Sequence, residues 1–170
     1  MSCILNTGYQ IGCRNNTGGL QTLAIGPWEL GTTYTYGGDG EITATSYATA
    51  SFFEFEQYTE QASATGEVTA NNEFGTIFNT QTLTFIMEKM DAPTRAKFLI
   101  LTQGRFRVLI KTQNGEWLLM GRLNGARLSA GTNGPGKAFG DLAGFTGTLT
   151  AVEPEPVHII EEAEALRLIA

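Results

Sequence analysis

Along most of this chain apolar and polar positions alternate with a period of two, as in strands that turn one face to a core and the other to water. In SFFEFEQY (51–58), Phe53 and Phe55 alternate with Glu54 and Glu56. In QTLTFIMEK (81–89), Leu83, Phe85 and Met87 alternate with Thr82, Thr84 and Glu88, with Ile86 on the polar side. In RFRVLIK (105–111), Phe106, Val108 and Ile110 face away from Arg105, Arg107 and Lys111, with Leu109 as the exception. EWLLMGRL (116–123) follows. The intervening Asn114-Gly115 predicts a hairpin, because both residues tolerate positive φ. In GFTGTLTAV (144–152), Phe145, Leu149 and Ala151 lie on one side and threonines on the other. Alternation of this kind predicts antiparallel sheets with one wet face.

Three segments depart from that period. DAPTRAKFLILTQG (91–104) predicts a helix, with Asp91 as N-cap, Pro93 in the first turn and Gly104 at the C-terminal stop. Its Ala92, Ala96, Leu99 and Ile100 share a face suited to cover a sheet. Residues 59–80, TEQASATGEVTANNEFGTIFNT, are polar and acidic, and predict either an extended hairpin of weak strands or a mobile loop. After EPEP (153–156) the chain leaves its sheet, since proline cannot continue a ladder. In the last fourteen residues Ile159, Ala163 and Leu166 recur at helical spacing, which suits a terminal helix docked at home or an arm docked on a neighbour. The expected fold is mainly β. It is an antiparallel β-sandwich or barrel with one flanking helix (about 91–103), a long hairpin or loop (about 59–80) and a C-terminal arm. Residues 1–156 form one β-rich domain and 157–170 the arm or short helix.

Composition agrees, with 21 glycines in 170 residues and few charges. No apolar run approaches the roughly 18 residues that a membrane helix needs. The N-terminus lacks the basic region and apolar core of a signal peptide, so a chain that stays in the cytoplasm of its maker is expected. Cys3 and Cys13 suit either a disulfide or, as expected in a cytoplasmic chain, two reduced small apolar residues. Charge is segregated: residues 15–88 hold nine acids and no Lys or Arg, whereas 89–137 hold nine bases and two acids. Either the segments interleave and the charges mix, or the molecule has unlike faces suited to head-to-tail stacking.

Candidate chemistry is sparse. GTNGPGKAFG (131–140) contains G-x-x-x-x-G-K, the core of a phosphate-cradling loop. However, Ala138 stands where a Mg²⁺-binding Ser or Thr belongs, Pro135 removes an amide, and a strand pattern follows instead of a helix. No nucleotide, metal or other cofactor is expected. Glu54 and Glu56, roughly 7 Å apart on one strand face, are the one pair that could act as acid and base on a glycan. That makes a carbohydrate-binding or carbohydrate-active sandwich the alternative from another class. His158 is the sole histidine, which argues against a Ser–His–acid site, and no catalytic residue is assigned. The acidic net charge of −6 argues against sequence-specific DNA binding, and the shared face of Arg105, Arg107 and Lys111 suits an acidic protein surface.

One long pattern is more specific. It comprises Trp117, Gly121, Asn124-Gly125, Ser129-Ala130-Gly131-Thr132, Gly136, Ala138-Phe139-Gly140-Asp141, Gly144-Phe145 and Glu153-Pro154. Cys3, Cys13 and Gly18-Gly19-Leu20 precede it, as does FFEFEQYTEQASATGEV. Together these resemble tail tube-like structural proteins of tailed bacteriophages, especially those of Bacteroidetes-type hosts, over most of residues 1–156. The fourteen residues beyond Pro156 depart from the pattern. The resemblance implies a non-enzymatic virion protein of the tail, assembled in the host cytoplasm, whose copies pair sheets into six-membered rings that stack into a hollow conduit. Its implied partners are itself, other tail or neck proteins and passing DNA, without sequence recognition and with no membrane. A neck or tail-terminator ring is the nearest alternative. An acidic bore would repel DNA, and Glu54 and Glu56 are the candidate lumen-facing acids. Candidate contacts between subunits are Glu60, Glu67, Glu73, Phe74, Arg105, Arg107, Lys111, Ile159, Ile160 and Leu166.

Overall fold

The computed structural model describes residues 8–47 and 51–170 of the chain. In chain order the elements are β1 (Leu20–Pro27), β2 (Tyr34–Tyr36), β3 (Ile42–Thr45), β4 (Phe53–Glu54), β5 (Ser63–Asn71), β6 (Thr76–Glu88), α1 (Ala92–Gln103), β7 (Phe106–Thr112), β8 (Trp117–Met120), β9 (Arg127–Gly134), β10 (Gly144–Glu153), β11 (His158–Ile160) and α2 (Glu162–Leu168). A seven-stranded sheet runs β2-β3-β11-β8-β7-β1-β4, and a four-stranded sheet runs β5-β6-β10-β9. Strand pairing is antiparallel apart from β3 beside β11. The mainly β sandwich expected from the alternation is present, and neither sheet closes into a barrel.

The alternating residues build the space between the sheets. Leu83, Phe85 and Met87 of β6 and Phe145, Leu149 and Ala151 of β10 meet Leu23, Ile25, Val108 and Ile110 of β1 and β7. Gly147 lies opposite Phe85, and a Cβ there would sit 2.6 Å from the Phe85 ring, so the glycine makes room for that ring. A second core covers the other face of the seven-stranded sheet. There Ala24, Leu109, Trp117 and Leu119 pack with Tyr47, Phe52 and the α2 residues Ala165 and Leu168. The middle strands are thus buried on both faces, which explains Leu109 as an exception to alternation.

Several expected details are corrected. In 51–58 only Phe53 and Glu54 form a strand; Phe52 is the fully buried residue and Phe53 is 61% exposed. Phe53 pairs opposite core-facing Ile25, so it points to the core side, but beyond the area that the four-stranded sheet covers. The helix forms as expected, with Asp91 Oδ1 accepting from the Thr94 amide at 2.8 Å. Its buried contacts, however, come from Phe98 and Leu101, while Ala92, Ala96, Leu99 and Ile100 are exposed. The helix reaches β9 where Gly131 leaves space for Phe98, so only a narrow stripe is covered. Gly104 ends it with extended backbone (φ −94°), its freedom from a Cβ being needed against the Phe106 ring. In the β7–β8 turn only Gly115 takes positive φ (95°). The Gly115 amide donates to the Thr112 carbonyl, and the Thr112 amide to Glu116, as in a three-residue loop.

Residues 59–80 take the hairpin alternative, with β5 and β6 paired from Ser63↔Thr84 to Asn71↔Thr76. The last fourteen residues dock at home: β11 enters the seven-stranded sheet between β3 and β8, and α2 covers the second core. Glu164 clamps this end, accepting from the Thr45 amide (2.8 Å) and hydroxyl (2.7 Å) and from Arg167 (2.6 Å). Cys13 is exposed; Cys3, and with it the proposed cysteine pair, lies outside the described residues. Among the described residues no helix is long and apolar enough to cross a membrane.

Two outcomes follow for stability. Phe85→Ala loses roughly 3–5 kcal/mol in denaturant unfolding, because the ring fills the centre of the sandwich. The Arg167 bonds, joined by those from Thr45, hold the Glu164 carboxyl below its ordinary range despite desolvation. A lowered folded value contributes stability above the unfolded value of about 4.3, and loses it as pH falls through the folded one. Unfolding measured between pH 6 and pH 3 therefore shows a flatter acid limb for Glu164→Gln than for the parent.

Candidate functional site

The four-stranded sheet turns a threonine-rich face outward, interrupted by Ile86, Ala130 and Val152. Odd-numbered residues of β6 and β10 enter the core, so even-numbered ones face out. In register across the strands this places Ser63, Thr84, Thr148 and Ala130 in one row and Thr65, Thr82 and Thr150 in the next. A third row joins Ile86, Thr146 and Thr132. The hydroxyls bond across strands, Thr132 to Thr146 at 2.6 Å and Ser129 to Thr150 at 2.8 Å. Glu67, Glu88 and Arg127 are the charges on this face, at its margins. Neither helix packs on it: α1 approaches β9 from the core side, and α2 lies on the other sheet.

Both edges of that sheet are long and open. β5 and β9 are exposed along nearly their whole length and have one strand neighbour each among the described residues. Such an edge presents a row of backbone donors and acceptors ready to pair with another strand. β10 ends opposite Asn79, so residues 69–78 continue as a two-stranded arm beyond the sandwich. Asn71 Oδ1 organises its turn by accepting from the amides of Glu73 (2.9 Å) and Phe74 (3.3 Å). Phe74 is 73% and Ile77 60% exposed, Val68 at the base of the arm is also exposed, and Phe78 is partly covered.

The predicted site residues separate into groups. Glu73 and Phe74 lie in the turn at the tip of the arm, whereas Glu67 pairs opposite Thr80 within the sheet. Glu54 and Glu56 are exposed beside β4, the edge of the other sheet, and line a wide groove instead of the threonine face. Glu60 lies exposed in the turn before β5. The expected basic face does not exist as a surface. Arg107 is 2% exposed, Arg105 stacks 4.8 Å over Trp28, and Lys111 pairs with Glu162 of α2 at 2.9 Å. In the C-terminal segment Ile159 and Leu166 are exposed, whereas Ile160 is buried in the second core and is no surface contact.

Two buried polar anchors escaped the sequence reading. Arg107 donates to Thr32 Oγ1 (2.7 Å), to the carbonyls of Glu29 and Arg122 (each 3.1 Å), and to the Tyr47 hydroxyl. It thereby pins the 28–33 loop to the second core. Burial also pushes the neighbouring Tyr34 phenol well above its usual range, opposed by Arg107. Glu153 accepts from the amides of Leu123 (3.1 Å) and Asn124 (2.8 Å), fixing the β8–β9 turn to the end of β10. The prolines of EPEP mark the end of the strand in sequence, but the partners of Glu153 lie about thirty residues away.

The G-x-x-x-x-G-K loop is committed internally. The amides of Lys137 and Ala138 both donate to Asp141 Oδ2 at 2.8 Å, and they hold that carboxyl below its ordinary range. The glycines start on strand β9, and the chain proceeds into β10. Compared with known proteins, the chain matches no family model, no curated protein and no solved structure.

Arg107→Met leaves four acceptors without their donor and costs about 3 kcal/mol in urea unfolding. Arg107→Lys recovers little of it, because an ammonium cannot span the fork of partners.

Proposed function

We propose that this chain is a virion structural protein, the tail tube subunit of a tailed phage, whose copies close into rings and stack into a conduit for DNA. The observation that carries this reading is the four-stranded sheet with an open edge strand on each side. β9 of one copy pairing with β5 of the next makes a heterologous contact, and such contacts generate a ring when the rotation closes. Ring closure removes both edges, as in any β-barrel. The resemblance in residues 1–156 to tail tube-like proteins points the same way.

In such a ring the uncovered face of the sheet is the natural wall of the bore. It presents threonine and serine hydroxyls with little charge. A wall without clustered cations releases few counterions from DNA and so holds the phosphate backbone weakly. Low affinity then comes from neutral hydroxyls instead of the acidic lining expected from Glu54 and Glu56. The work of the protein is geometric, and its partners are its own copies, the adjoining tail or neck proteins and the DNA in transit.

Negative-stain electron microscopy with light scattering on the purified protein tests this. Hollow rings and tubes are the expected result. A proline at whichever of Thr65 or Gly66 turns its N–H outward keeps the β5–β6 ladder and abolishes the rings. Single rings that never stack assign the chain to a terminator or neck position, and a monomer at every concentration overturns the reading.

A further inference from the structure

We propose that Asn114-Gly115, at the tip of the β7–β8 hairpin, is a site of spontaneous deamidation in the folded protein, and that the change releases residues 8–17 from the sandwich. The inference is independent of the ring reading. Residues 8–17 are exposed throughout and belong to no strand or helix. Among the described residues, the hydrogen bonds that tie them to the rest of the molecule go to the Asn114 side chain. Its Oδ1 accepts from the Thr17 amide at 2.9 Å, and its Nδ2 donates to Asn16 Oδ1. Just beyond, the chain is fixed through its backbone. The Gln113 amide donates to the Gly19 carbonyl and Gln113 Nε2 to that of Leu20, each at 3.1 Å. One side-chain amide therefore decides whether the segment before Gly18 lies down on the hairpin.

An asparagine followed by glycine can close on itself. The Gly115 nitrogen gives up its proton to water and attacks Asn114 Cγ. The N–Cγ bond forms, the Cγ–Nδ2 bond breaks, and Nδ2 leaves as ammonia with a proton taken from water. Water then opens the five-membered imide. Opening at Cγ gives aspartate, and opening at the former Asn114 backbone carbonyl gives isoaspartate, with no oxidation or reduction. Three local features favour the step here. Gly115 has φ +95° and open space where a Cβ would stand, so nothing hinders ring closure. Residues Gln113 to Glu116 are exposed, and the bond that must open, from the Gly115 amide to the Thr112 carbonyl (3.0 Å), lies at a hairpin end where local opening costs least. The Thr17 amide is aimed at Oδ1, the atom that takes up negative charge as nitrogen adds to Cγ. The other Asn-Gly pairs are held back. Asn133-Gly134 sits in the β9–β10 ladder opposite Phe145 and Gly144. Asn124-Gly125 has a buried glycine, and Asn124 is held by Glu153 at its amide and by the Val152 carbonyl at Nδ2. Either product loosens the clasp for good. Aspartate has no Nδ2 donor and turns an anionic oxygen toward Asn16 Oδ1. Isoaspartate also lengthens the main chain through Cβ and Cγ, which moves the acceptor away from Thr17.

The test is peptide mapping by mass spectrometry of the full chain aged in native, mildly alkaline buffer. An isoaspartate-specific methyltransferase reports the isomer, and hydrogen exchange follows the Thr17 amide. Asn114 gains the mass of an amide-to-acid change, mainly as isoaspartate, about tenfold faster than Asn124 or Asn133, whereas in urea the three pairs react alike. The Thr17 amide of the aged protein exchanges about tenfold faster than before, matching fresh Asn114→Ala protein. Asn114→Gln, whose ring would be six-membered, shows no conversion at that position. Asn114 still intact in buffer once the urea sample has converted overturns the site. Equal conversion of all three pairs in buffer, the signature of unfolded molecules, overturns it too. Thr17 exchange unchanged both by ageing and by Asn114→Ala overturns the release.

Discussion

The packing of β6 and β10 against β1 and β7 is the contact on which the other features depend. Leu83, Phe85, Leu149, Val108 and Ile110 are almost wholly removed from water there, and at about 25 cal/mol per Å² such burial is the main force available to a sheet protein. It fixes the register of β6, because a one-residue slip would turn Phe85 outward and Thr84 inward. With β6 fixed, its far end becomes an arm, its near end becomes the floor of a groove, and its outer residues become a threonine row. Three surfaces are thus consequences of one core.

The seven-stranded sheet plays a different part. It is covered on both faces, by the other sheet and by α2 with Phe52 and Tyr47. Its short outer strands β2 and β4 offer little backbone for pairing. The four-stranded sheet keeps long edges and a bare face. A protein that had to avoid association would shorten or charge those edges. The contrast between the two sheets in one molecule supports assembly as the purpose of the second.

Much of this was legible in the sequence, for physical reasons that can be named. Strands with one wet face, such as β6 and β10, declared themselves through alternation. Asp91 and Pro93 marked the start of α1. Partners far apart in sequence were harder to see. Arg107 sits in an alternating strand like any surface arginine, and only the loop from residue 28 to 33 folding over it makes it internal. Phe52 and Phe53 are adjacent and chemically identical, yet one is buried and the other exposed, because the four-stranded sheet ends short of β4. The threonines of 82–84 and 146–150 each mark a wet face in the sequence, but their alignment into rows is a property of register between strands. Sequence likewise showed that 89–137 is basic, without showing that Lys111 is spent on α2 while Lys97 stays at a groove.

The continuity of β6 also has a mechanical consequence. A pull on the tip of the arm runs along one uninterrupted strand to the α1 end of the molecule. The ladder bonds to β5 and β10 lie perpendicular to that direction. Tension along that strand therefore loads these bonds in shear, many at once, instead of peeling them in sequence from one end. A molecule pulled along β6 thus carries load through its backbone ladder and resists stretching along that axis.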